Sequence, residues 1–174
     1  MGLNYWREDE MSMELRHDRV GVLHYTLKND QGVVLDSSSG GDPLVYLHGY
    51  RNIVPGLEQA LVGKVAGEAL SVSVPPADGY GERRGNGPQR VRRKELPRDV
   101  KVHVGGPIHG QDAEGNYFTL WVTDVKGAWV WIDVNHPLAG QTLHFDIEIL
   151  SVRDALDVEK QQGHAHGIDG SAQH

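Results

Sequence analysis

Cysteine is absent from the 174 residues, so the chain forms no disulfide, offers no thiolate to a metal and carries no cysteine nucleophile. Long apolar runs are absent as well. Nothing along the chain is long and greasy enough to span a bilayer, and residues 1–17 carry charges throughout, where a secretory leader needs an apolar centre. Basic residues are in deficit, 17 Lys and Arg against 24 Asp and Glu, and the resulting net charge of −7 argues against nucleic acid as the main partner. What remains is a chain long enough to bury a core without staples, in one domain or two small ones. The expectation is a cytoplasmic monomer.

The first 17 residues are polar with scattered Leu, Met, Tyr and Trp, and read as an N-terminal extension, a short helix or a loose segment. Val20 to Lys28 then alternates apolar and polar residues, Asn29-Asp30-Gln31-Gly32 reads as a turn, and Val33 to Asp36 resumes the extended pattern, together a hairpin. Pro55 to Val62 reads as a helix of about two turns, with Pro at its start, where a missing N–H does no harm, and Gly63 closing it. Leu70 to Val74 and Leu143 to Val152 are the remaining strands of this pattern. Between them composition changes abruptly at Gly81 to Pro88, and Val100 to Val104, Tyr117 to Val125 and Trp129 to Val134 read as strands with turns at Gly115 and Gly127. Leu120-Trp121-Val122 and Trp131-Ile132 are apolar on both faces of their strands, more than a small unit can bury, which predicts an exposed apolar patch. After Asp154 the chain turns polar and Gly-rich, and 155–174 is expected to be a disordered tail.

Three runs carry chemistry: Gly32-Val33-Val34-Leu35-Asp36-Ser37-Ser38, Ile53-Val54-Pro55-Gly56-Leu57-Glu58, and Val74-Pro75-Pro76-Ala77-Asp78-Gly79-Tyr80-Gly81. In the last, the prolines end a strand and leave a phenol between two glycines on a loop, with no evident packing purpose. In order and spacing these runs resemble the FKBP-type peptidyl-prolyl cis-trans isomerases. Tyr46-Leu47-His48-Gly49, the run Asn135-His136-Pro137-Leu138-Ala139-Gly140-Gln141-Thr142-Leu143-His144-Phe145 and the His-containing tail are similar to the SlyD-like branch, which carries an inserted chaperone (insert-in-flap) domain.

That resemblance implies an α+β fold, an FKBP-like antiparallel sheet wrapped on a short helix, in two pieces, 18–86 and 135–154, with a small β-rich chaperone domain inserted at 87–134. It implies peptidyl-prolyl isomerase activity on unfolded or proline-containing polypeptides. It places Tyr25, Leu35, Asp36, Leu47, Ile53, Val54, Leu57, Tyr80 and Phe145 around a proline pocket. Tyr80 would donate to the carbonyl before proline, the N–H near Val54 would be a second donor, and Asp36 would accept from Tyr25 or nearby backbone. The position often held by Trp on the pocket floor is Leu57 here, and the aromatic beside the Asp is Leu35. Trp121, Trp129 and Trp131 of the insert would hold client chains. Leu47, Val54, Leu57 and Phe145 would equally serve as ordinary core, and Tyr25 with Asp36 as a structural pair.

Ten histidines raise the question of a metal. The resemblance implies nickel on the tail; His164 and His166, with His174 as a third candidate, are the ligands available, a weak site without thiolates. The isomerisation itself calls for no cofactor. The basic run Arg83, Arg84, Arg90, Arg92, Arg93, Lys94 and Arg98 reads as a solvated face of the insert rather than a nucleic-acid site. Two other functions stay open: a holdase with an idle pocket, and a nickel metallochaperone.

Overall fold

Alternation over Arg19–Lys28, broken once, gives the first strand, β1, and the long Leu143–Asp154 strand, β9, pairs antiparallel with it along its whole length. Opposite partners share a face, so Leu23, Tyr25 and Leu27 of β1 stand with Ile149, Ile147 and Phe145 of β9 on the dry side. The register slips between Val22 and Leu23, which lets both of these neighbours be buried. In a computed structural model of the chain, which describes residues 13–170, β1 also pairs with β2 (Val34–Ser37) through its second half and β3 (Leu44–Leu47) through its first, while β4 (Ala69–Val74) lies on the far side of β9. The fold is thus the expected α+β arrangement, an antiparallel sheet with a short helix against it.

That helix, α1 (Pro55–Leu61), starts on Pro and buries Leu57 and Leu61. It comes down on the end of β4 because Gly56 permits it: a Cβ there would stand 2.7 Å from Val74 Cγ1 and 3.0 Å from Asp78 Cβ. The opposite face of the sheet is solvated, and its polar side chains form a cross-strand ladder. Ser71 donates to Asp146 at 2.7 Å, and His144 stands between Ser73 and Asp30 at 2.9 and 2.7 Å.

Two expectations about the ends of the chain need correcting. Of the N-terminal extension, residues 1–12 lie outside the described residues, but 13–17 belong to the fold. Leu15 is wholly buried over Gly21, where any side chain would strike both it and Tyr46, and its backbone bonds Lys64 and Gly63. The expected disordered tail holds a helix, α2 (Asp157–Gln162), with a buried Glu159. A polar sequence hides this element because an ion pair, Arg153 with Glu159, organises it in place of an apolar stripe.

The chain divides into two compact units, one of residues 1–79 and 142–174 and one of residues 80–141. The second takes in 80–86 and 135–141, which the sequence reading assigns to the first. Its own bonds tie these stretches to it: Arg83 pairs with Asp133 at 2.8 Å, and Asn135 exchanges hydrogen bonds with the Arg84 backbone, 2.8 Å each way. This unit is a four-stranded antiparallel sheet in the order β5 (Gln89–Arg92), β8 (Trp129–Asp133), β7 (Tyr117–Lys126), β6 (Pro107–Gln111). Ile108, Val122 and Val130 are its buried centre, with Val100 and Val102 packed against them. The strand expected over Val100–Val104 does not form. Val100 and Val102 serve as core ballast without a ladder partner, Val104 is exposed, and the edge strand lies at Pro107–Gln111 instead.

Candidate active site

On the dry face of the first unit, the period-two spacing of β1 and β2 brings Tyr25 and Asp36 together. The Tyr25 hydroxyl donates to Asp36 Oδ2 at 2.6 Å, and the Ser37 N–H donates to Oδ1 at 2.8 Å, so both carboxylate oxygens are occupied. Leu47, Leu57 and Phe145 are buried beneath, while Leu35, Ile53 and Val54 are half-buried at the surface. Sequence places all six as pocket residues; the structure buries three of them and leaves the other three half-buried. A hollow on this unit, about 480 Å³, is lined by His24, Thr26, Ser71, Asp146 and Glu148 among others. Those polar side chains belong to the solvated ladder, so that hollow is the wrong chemistry for a prolyl ring.

The turn leading into Ile53 and Val54 is strained and heavily tied. Gly49 and Arg51 both have left-handed backbone, with φ of 98° and 60°. Gly49 N–H donates to Glu58, Tyr50 Oη donates to Asp18 at 2.5 Å, and the Tyr50 ring stacks on His17. Asn52 Oδ1 accepts the Leu47 N–H at 3.0 Å, and its Nδ2 donates to the Gly163 carbonyl at 2.9 Å. Behind the turn, the buried Tyr46 hydroxyl meets His48 Nδ1 at 3.0 Å. Burial, with help from the Glu58 charge, raises the Tyr46 phenol, and burial lowers His48, so both stay neutral.

In the second unit Tyr80 is 38% exposed, and its ring lies flat on His136, centroids 3.7 Å apart and planes 5° from parallel. His136 in turn meets Trp121 edge-on at 4.4 Å. Its Nδ1 accepts the Leu138 N–H at 2.9 Å, which assigns the ring proton to Nε2, and burial holds its pKa below the usual value. The sequence contains His136 but gives no sign that it backs Tyr80, since the two are far apart in the chain.

Trp121, Trp129 and Trp131 are half-buried rather than bare. Trp129 carries Arg90 at 3.9 Å and Arg92 at 5.0 Å over its ring, and Lys126 stands 5.8 Å from that of Trp131. Part of the basic run therefore covers indole. Exposed apolar surface comes instead from Val104, Val134 and, side by side in β7, Tyr117 at 85% and Phe118 at 41%, the latter seated over Gly110. A cleft of about 270 Å³ opens in the same unit between Leu120, Ile132, Val134 and the Gly85–Gly87 turn.

His164 and His166 have their rings 5.1 Å apart. His166 is buried, its N–H on Glu159 at 2.6 Å and its Nε2 on Gln162 at 2.6 Å, so metal binding by both rings requires that arrangement to open. Among the described residues no group of three or more His, Cys, Asp or Glu is placed to hold a metal; His174 lies outside them. No helix among the described residues is long and apolar enough to cross a membrane.

Residues 14–150 match the model of the FKBP-type peptidyl-prolyl cis-trans isomerase family. The chain is 39% identical to the FKBP-type peptidyl-prolyl cis-trans isomerase SlyD of Treponema pallidum (strain Nichols), over 83% of this chain and 82% of that one. It is 38% identical to SlyD of Vibrio cholerae over 91% and 78% of the two chains, and 36% identical to SlyD of Escherichia coli (strain K12) over 89% and 79%.

Proposed function

The chain belongs to the FKBP-type peptidyl-prolyl cis-trans isomerase family, and from that premise we propose which of its residues perform the rotation and how its second unit serves it. It is a peptidyl-prolyl isomerase, and its substrates are proline-containing polypeptides. Rotation about an X–Pro bond needs no nucleophile, no cofactor and no net proton transfer; the barrier is amide resonance, roughly 18–20 kcal/mol. An apolar cleft that strips water from the amide disfavours its charge-separated resonance form and so favours the twisted state.

The Tyr25–Asp36 bond carries this reading: a carboxylate held by one donor on each oxygen, at the edge of an apolar floor, acts by fixed geometry. Leu47, Leu57 and Phe145 take the prolyl ring, with Leu35, Ile53 and Val54 as its rim. The Val54 N–H and the Tyr80 hydroxyl donate to the peptide. Trp121, Trp129 and Trp131, together with Tyr117 and Phe118, hold unfolded client chain on the inserted unit, which raises the local concentration of prolyl bonds. The enzyme works in the cytoplasm as a monomer, with no nucleic acid or membrane partner.

Proline-limited refolding of an unfolded protein, compared with isomerisation of a short prolyl peptide, tests this. Tyr80→Phe with Asp36→Ala should depress turnover on both substrates and spare client binding. Equal turnover in that variant and the parent chain overturns the assignment of Tyr80 and Asp36; no turnover in the parent chain itself leaves only a holdase.

A further inference from the structure

The segment after Asp154 is folded around one ion pair. Arg153 Nη1 and Nη2 each reach a carboxylate oxygen of Glu159 at 2.7 Å, and Glu159 also accepts the N–H groups of Leu156 at 2.8 Å and His166 at 2.6 Å. The remaining three Arg153 donors go to the Asp154, Gly167 and Ile168 carbonyls at 3.1, 3.1 and 2.8 Å. A carboxylate with 0% exposure and four donors is well satisfied. Such a pair fixes geometry more than it adds stability, because desolvation offsets most of the attraction.

What this knot fixes is the Gly163 carbonyl, at the left-handed end of α2. Asn52 donates to that carbonyl and accepts from Leu47, so one amide group joins the tail, the β3 strand and the turn between them. The turn holds Arg51 at a φ of 60°, a conformation that a residue with a Cβ keeps only where its surroundings over-determine it. Ile53 and Val54 follow directly.

We propose that residues 153–168 are a positioning element of the prolyl pocket: the Arg153–Glu159 knot presents the Gly163 carbonyl to Asn52, and Asn52 thereby sets the turn that aims Ile53 and Val54. This rests on the reading above that Ile53 and Val54 form a pocket wall. Without the carbonyl, the Asn52 amide loses one of its anchors and the Arg51 turn can relax. The Val54 N–H then moves off the bound peptide while the buried floor stays in place. The loss falls on binding more than on rotation.

Asn52→Asp in the full chain removes the donor: Oδ1 still accepts from Leu47, but a carboxylate oxygen faces the Gly163 carbonyl, and the weaker 3.3 Å bond to the Tyr50 carbonyl is lost with it. For a short prolyl peptide KM should rise roughly three- to tenfold, the worth of one hydrogen bond, with kcat within about twofold. Glu159→Gln, which disturbs the knot far from Asn52, should raise KM in the same direction and speed hydrogen exchange of amides 50–54. The two together should do no more than the stronger alone. Unchanged KM and exchange in the folded variants, or multiplying effects, overturn the inference. Ile53→Ala reads the wall itself: if it leaves KM unchanged the pocket reading falls, and if it raises KM while the other two do not, only the positioning inference falls.

Discussion

At the scale of single residues, the duties proposed for the Tyr25 hydroxyl and the Tyr80 phenol are ones that substitution can tell apart. Tyr25→Phe removes a 2.6 Å bond to Asp36 without emptying the core, and is expected to lower kcat/KM about tenfold, worth about 1.4 kcal/mol in the transition state. Exchange spectroscopy on a short prolyl peptide measures it; a rate within twofold of the parent chain makes the pair structural only. Histidines supply a pH dependence. His48 and His136 are both held below the usual 6.5 by burial, so the unfolded chain takes up protons first as pH falls. Their contribution to stability is complete above pH 6.5 and declines below it, toward their lower folded values. Denaturant titrations from pH 7.5 to 5 should show the decline, and His136→Asn, which retains an acceptor for the Leu138 N–H, should lessen it. Residues such as Tyr25 and Asp36 were legible because an ordered set of motifs surrounds them. The stacking of His136 on Tyr80 and the bridging by Asn52 were not, since each joins side chains distant in sequence through geometry that no local pattern encodes.

Among the elements, those with one dry face were the readable ones. β1 and β9 alternate because one side of the sheet meets the core and the other meets water, and α1 announces itself by Pro55 and Gly63. β6 could not be seen, having only Ile108 buried among polar neighbours, and Val100–Val104 misled because valines that fill space look like valines that pair. α2 was invisible for the reason that makes it testable. Hydrogen bonds from Arg153, ahead of the smaller effects of the Leu156 and His166 amides, pull the Glu159 carboxyl from the usual 4.5 down to about 2. Its contribution is present above pH 4.5 and is lost as pH falls toward 2. Hydrogen exchange at α2 should therefore quicken across that acid range before the sheet opens, and Glu159→Gln should abolish the pH dependence of α2 alone. Exchange that changes only with global unfolding contradicts the ion pair as the holder of this helix.

For the whole molecule, charge and greasiness are shared unevenly between the units. Lys and Arg outnumber Asp and Glu over 80–141, whereas the chain as a whole carries −7. Tyr117 and Phe118 stand exposed on a unit whose own core is complete, a surface suited to weak and broad capture of unfolded chain. Tyr117→Ser with Phe118→Ser should slow proline-limited refolding of a protein client about tenfold, by analogy with the loss of avidity on unlinking two sites, and leave short-peptide turnover unchanged. A parallel fall on both substrates would mean that the insert does not recruit clients.

Arg84 and Asn135 clasp each other where the polypeptide enters and leaves the stretch between them. Some fifty residues thus begin and finish within one hydrogen bond's reach, so closing that excursion asks almost nothing further of the chain's entropy, whatever its contents. The pair marks natural graft points: a foreign module with adjoining termini can be sutured there, giving the same rotamase a different grip on a different clientele.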